Sequence, residues 1–159
     1  MTLLDKEPVK RVEKCLKEFD QTQKVIILDT SARTASDAAS SLSCEIGAIV
    51  KSLLFKTENN FILCLIAGDK KASLNKIKKM LNIKDVSMSS ADDVKNITGF
   101  TIGGVSPIGH LNKIDIFIDN SLKRFNNLYA AAGHPNCIFK INFSDLQKIS
   151  KGSIRELTV

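Results

Sequence analysis

A chain of 159 residues, 43% hydrophobic and 25% charged, has the composition of one globular domain and excludes a disordered or fibrous polymer. Its formal net charge of +6, from 23 basic and 17 acidic residues, favours polyanionic partners without naming one. No run approaches the roughly 18 uninterrupted apolar residues of a membrane span, and charges arrive at once after Met1, so the expected protein has no span or leader and works in the cytoplasm.

Along the chain, Val9, Val12, Leu16 and Phe19 recur at helical spacing, and Pro8 suits a first helical turn. Residues 25–28 are expected to form a short buried strand. Thr34, with Asp37 three residues on, caps an alanine-rich helix through Leu42, whose packing stripe is Ala35, Ala38, Ala39 and Leu42. Residues 48–55 are β-branched and aromatic enough for a strand, and residues 61–67 return as the second arm of a hairpin. A basic helix over 73–81 is expected to turn Leu74, Ile77 and Leu81 inward and Lys76, Lys78 and Lys79 outward.

Ser90 opens another helix, with Asp92 and Asp93 in the first turn as the helix dipole prefers. Residues 99–109 are a loop holding four of the eight glycines. A strand over 114–119, a helical turn over 121–125 and a strand over 128–132 follow. The segment Gly133-His134-Pro135-Asn136 interrupts that strand, which resumes over 137–141. Residues 144–149 form a last helix with Ser144 as N-cap. With no repeat or linker, residues 1–159 are read as one mixed α and β domain.

Four cysteines, Cys15, Cys44, Cys64 and Cys137, are scattered without a CxxC pair and are read as core thiols rather than disulfides. With His110 and His134 the only histidines, no metal signature exists, and neither a metal nor a cofactor is expected. Lys51 is the most informative residue. Ile49, Lys51, Leu53 and Phe55 share one strand face, and Val50, Ser52 and Leu54 share the other. Both faces are apolar, so the strand is central and the lysine partly enclosed, which is costly unless the charge is paired or used. A lysine snorkelling from an edge strand is the alternative.

The loop Gly103-Gly104-Val105-Ser106-Pro107-Ile108-Gly109 lets backbone amides approach a ligand and adds the Ser106 hydroxyl. It is neither a dinucleotide fingerprint nor a P-loop. Gly133 within a strand pattern marks a bulge or a close backbone approach, and His134 beside it could exchange a proton near neutral pH. No Ser-His-Asp or Cys-His set can be nominated. Asp115 and Asp119 flank a strand rather than forming a catalytic pair.

Taken in order, Thr30-Ser31-Ala32-Arg33-Thr34-Ala35, Ile49-Val50-Lys51-Ser52-Leu53-Leu54-Phe55, the 103–109 loop and Ala132-Gly133-His134-Pro135 resemble the YbaK and prolyl-tRNA synthetase-associated editing family. The resemblance implies a curved mixed β-sheet forming a partial barrel surrounded by helices. It implies a freestanding deacylase that hydrolyses the ester of a small wrong amino acid, such as alanine or cysteine, on the acceptor end of tRNA for proline. Prolyl-tRNA synthetase is a further partner on this view, whereas membrane and DNA are not.

By the same resemblance Lys51 and Gly133 are the catalytic positions, and Thr34, Ser52, Gly103, Gly104, Ser106 and His134 the substrate-binding ones. An aminoacyl ester is already reactive, so such a site needs placement and charge stabilisation more than a strong nucleophile. Lys51 would anchor the terminal nucleotide, and amides near Gly103, Gly104 and Gly133 would hold the carbonyl or oxyanion. Two alternatives stay open: a non-catalytic module holding tRNA or a synthetase, and a small hydrolase of another acyl ester.

Overall fold

The computed structural model describes residues 2–159. Among these residues, five α-helices surround one eight-stranded mixed sheet. In chain order the elements are α1 (Glu7–Phe19), β1 (Ile26–Ile27), α2 (Ala35–Leu42), β2 (Ile49–Lys56), β3 (Phe61–Ala67), α3 (Leu74–Leu81), β4 (Ser87–Met88), α4 (Ala91–Thr98), β5 (Asp115–Asp119), β6 (Leu128–His134), β7 (Cys137–Ile141), α5 (Phe143–Ser150) and β8 (Ser153–Arg155). The strand order is β1-β7-β6-β2-β3-β5-β8, with β4 added beside β2. The sheet stays open: among the described residues its outermost strands, β1 and β8, do not meet.

The β2–β3 hairpin is the spine. Its register pairs Val50 with Ala67 and Lys56 with Phe61, and the turn is closed by the Thr57 amide donating to the Asn60 carbonyl at 2.8 Å. β3 reads Ile-Leu-Cys-Leu-Ile-Ala over 62–67 with every residue buried, as a strand covered on both faces must be. Period-two alternation sends Leu63, Leu65 and Ala67 to a core shared with Val9, Val12 and Leu16 of α1 and with Leu146 of α5. Ile62, Cys64 and Ile66 face the opposite core, shared with Ile77 of α3 and Leu157. Burial pushes the Cys64 thiol up to about 12, with Asp119 adding to the rise, so it packs as an apolar group. All four cysteines are free.

Asp119 ties the far edge together. Its carboxylate accepts from the Ser121 amide and hydroxyl, from the Leu157 amide at 2.7 Å and from the Thr158 hydroxyl at 3.3 Å.

Several expectations change. The strand over 25–28 shortens to Ile26 and Ile27 and is not buried, because it pairs only with β7 at the sheet edge and leaves Ile27 45% exposed. Leu74 is 39% exposed rather than turned inward, because it opens the first turn of α3 where the helix has not yet met the sheet. The cap of α5 is Asn142, whose side chain accepts from the Asp145 amide at 2.8 Å, and Ser144 lies two residues on, within the first turn. The strand expected to resume after residue 136 instead reverses: β6 and β7 are antiparallel arms joined at His134 and Cys137, with a bulge between Ala131 and His134. β4 and β8, at two and three residues, carry no periodicity and were not expected.

Candidate functional site

The site is a place where the sheet fails to close on itself. Along one edge β2 pairs with β3 throughout. Along the other it pairs with β6 only at Ile49 and Val50, and with β4 only at Phe55 and Lys56. The parity of the ladder says what this leaves open. The Ile49 carbonyl bonds Gly68 on the β3 side, so odd-numbered residues point to β3 and even-numbered ones point away. The Leu54 carbonyl takes the Ser89 amide at 3.1 Å. Among the described residues no strand meets the amide and carbonyl of Ser52 or the amide of Leu54.

A cavity of about 370 Å³ fills this opening. Its lining is mostly apolar, drawn from β2, the start of α2, β6 and the loop after α4, and includes Ala38, Leu53, Tyr129 and Val105. Lys51, Ser52, Thr34 and Gly103 all line it, so the structure brings together four of the residues singled out from sequence. At an open edge, side chains from both strand faces reach one space, which is why Lys51 and Ser52 can share it.

Lys51 is half-buried, and its ammonium donates to the Lys70 carbonyl at 2.6 Å. Burial pulls its pKa down; the nearby Asp69 carboxylate opposes that pull and Lys71 adds to it. Asp69 is gripped by both terminal nitrogens of Arg124, at 2.9 and 2.7 Å, which holds its carboxyl below the usual range. Thr34 caps α2 by accepting from the Asp37 amide at 3.0 Å. The Ser52 and Ser89 hydroxyl oxygens are sealed from solvent without a hydrogen-bond partner among the described residues.

The other four stand behind the lining. Gly104 is buried, its amide given to Thr101 and its carbonyl taking the Gly133 amide at 3.1 Å. A Cβ at Gly104 would sit 2.9 Å from the His134 nitrogen, so glycine lets the loop press on the β6 bulge. Gly133 has φ +92° and touches the backbone of Pro8, where a Cβ would lie 2.8 Å from the carbonyl. Ser106 is buried, its hydroxyl accepting from the Ile108 amide at 3.2 Å within its own turn. His134 accepts at Nδ1 from the Asn136 amide at 3.0 Å, and burial, then Lys6 and Arg33, lower its pKa.

The segment before α2 is stitched to the β6–β7 turn. The Leu28 amide donates to Asn136 and the Ala32 amide to Pro135, each at 2.7 Å, which carries Arg33 and Thr34 onto the rim. Arg33, Leu54, Met88, Ser89, Ile102 and Tyr129 line the cavity but were not singled out from sequence as site residues. Strand parity was a usable signal for Leu54; the rest sit on β4, on β6 or in loops, whose placement beside β2 no local pattern encodes. Among the described residues no three His, Cys, Asp or Glu side chains gather as a metal would require, and no helix is long and apolar enough to cross a membrane.

Comparison with known proteins follows this geometry. Residues 29–149 match the family model described as an aminoacyl-tRNA editing domain. The chain is 29% identical over 153 residues to a proline–tRNA ligase of Caldicellulosiruptor bescii, covering 96% of this chain and 25% of the ligase, so it spans about a quarter of that relative's length. It is 29% identical over 143 residues to the uncharacterised protein YwhH of Bacillus subtilis, covering 89% of this chain and 90% of that one. A crystal structure of a chain put forward as a trans-editing enzyme for prolyl tRNA synthetase matches with a TM-score of 0.90 at 30% identity, over 97% of this chain and 98% of that one.

Proposed function

The chain belongs to the aminoacyl-tRNA editing domain family, and from that premise we propose that it hydrolyses, in trans, the ester joining a small wrong amino acid to the 3′-terminal adenosine of tRNA for proline. Alanine, cysteine and residues of similar size are the candidate acyl groups. The observation that carries this reading is Lys51 on the wall of a mostly apolar cavity at the open edge of β2.

In this mechanism the Lys51 ammonium anchors the terminal nucleotide by charge. The unpaired amides of Ser52 and Leu54, with that of Gly103, are donors for the ester carbonyl as it becomes an oxyanion. Gly104 and Gly133 act through position, because their amides are already given to Thr101 and Gly104. Water, assisted by the ribose 2′-hydroxyl, adds to the carbonyl carbon. The carbon–oxygen ester bond then breaks, the ribose oxygen takes a proton, and the amino acid leaves as a carboxylate. The apolar wall selects by size, and a methylene is worth only about 1–3 kcal/mol in such a pocket. The acceptor stem, or a ternary complex with prolyl-tRNA synthetase, would supply tRNA identity.

The test is deacylation of tRNA for proline charged with alanine, cysteine, serine or proline, by wild type and Lys51→Ala. Release of one small residue is expected, with proline spared and kcat/KM lowered about 100-fold or more in the variant. Tight binding of every charged tRNA with no release would replace the hydrolase by a binding module.

A further inference from the structure

The rim of the cavity carries a cation without an ion-pair partner among the described residues. Of the four arginines, Arg11 spends its guanidinium on two carbonyls and Glu7, Arg124 on Asp69, and Arg155 on the Ile154 carbonyl. Arg33 is exposed, lines the cavity and makes no ion pair among the described residues. Its stem is seated all the same. A Cβ added at Gly103 would lie 3.5 Å from Arg33 Cγ, so the aliphatic part rests on the glycine loop while the head stays in water.

Two neighbours define what this lip could hold. The charge of Arg33 reaches His134, as does that of the exposed Lys6, so two cations flank the same corner. Beside Gly103, Ile102 lines the cavity at 64% exposure and Met88 lines it at 58%, so the mouth carries exposed apolar surface. A free guanidinium next to an exposed apolar side chain, at the mouth of a cavity, suits single-stranded nucleic acid. The planar fork takes a phosphodiester, and the apolar surface takes the face of a base.

We propose that this lip binds the single-stranded 3′ end of the tRNA, with Arg33 on the phosphodiester just upstream of the esterified nucleoside and Ile102 under the adjoining base. The inference rests on the reading of the cavity as the seat of that nucleoside. Arg33 then contributes to substrate capture and leaves the chemistry to Lys51 and the β2 edge.

The experiment compares two substrates with the same acyl group: the charged tRNA, and the amino acid esterified to adenosine, which has no phosphate. Arg33→Ala is expected to lower kcat/KM on the tRNA about tenfold or more and to leave the adenosine ester unchanged. Binding of uncharged tRNA is followed over a salt series in parallel. There the slope of log affinity against log salt should fall by about 0.7 in Arg33→Ala and be kept in Arg33→Lys. Equal losses on both substrates, or an unchanged slope, would overturn the contact. A wild type that binds tRNA with an Arg33-dependent slope yet releases no amino acid would uphold the contact and sink the hydrolase reading.

Discussion

Lys51 and His110 show how single titratable groups are held by backbone carbonyls rather than by carboxylates. The Lys51 ammonium leans on the Lys70 carbonyl, while the nearby Asp69 carboxylate is committed to Arg124. His110 is enclosed against the edge of Phe100, and its Nε2 contacts the Ser106 carbonyl at 2.7 Å. Burial lowers its pKa; the Ser106 carbonyl opposes this and Arg11 reinforces it. The unfolded chain, with an ordinary histidine pKa of about 6.5, therefore binds the proton more readily than the folded one. That contribution to stability is intact above about pH 6.5 and is lost as the pH falls from there through the depressed folded value. Thermal unfolding between pH 7.5 and 5 should show a falling Tm, and His110→Gln, which keeps a donor for the Ser106 carbonyl, should flatten the profile. A Gln variant as acid-sensitive as wild type would remove His110 from the account.

Among the elements, the loop between α4 and β5 is organised from outside itself. Arg11 on α1 donates to the Gly109 carbonyl at 2.9 Å and to the Gly99 carbonyl at 3.0 Å, and its guanidinium lies 4.9 Å from the centre of the Phe100 ring. One side chain thus closes both ends of the loop that brings Ile102, Gly103 and Val105 to the cavity. Arg11→Ala should cost roughly 2–4 kcal/mol, two part-buried charged hydrogen bonds with their acceptors stranded. Amide exchange over residues 99–109 should quicken; protection equal to wild type there would show that the loop holds itself. None of this clamp was legible in the sequence, since 88 and 98 residues separate the partners. What was legible followed from local pattern. The 3.6-residue stripe Val9, Val12, Leu16 gave α1, and Thr34 with Asp37 gave the start of α2. β-Branched and aromatic content gave β2, the hairpin return gave β3, and apolar neighbours on both faces gave the half-enclosed Lys51. Leu74 and the α5 cap went astray because packing and cap geometry, not periodicity, decide a helix's first turn.

At the scale of the molecule, the site exists because β6 leaves β2 after Ala130, and the docking of α1 keeps it there. Val9 and Val12 pack into the core beside Ala130 and Ala132, and Gly133 presses its bare Cα on Pro8. Lys51, Ser52, Thr34 and Gly103 were singled out from sequence and line the cavity, but the opening itself could not be read from it. A gap in a ladder is a relation between two strands about 80 residues apart, set by a bulge and by a helix that precedes both. Gly133 therefore separates two roles that its position alone leaves confounded. With φ +92° and no room for a Cβ, Gly133→Ala should cost roughly 2–4 kcal/mol in backbone strain and displaced helix, lowering Tm by about 5–12 °C. If the residue acts through the docking of α1 alone, Gly133→Ala should regain deacylation at low temperature, where the fold is complete. If its amide instead takes part in the chemistry, kcat will stay low in Gly133→Ala even there.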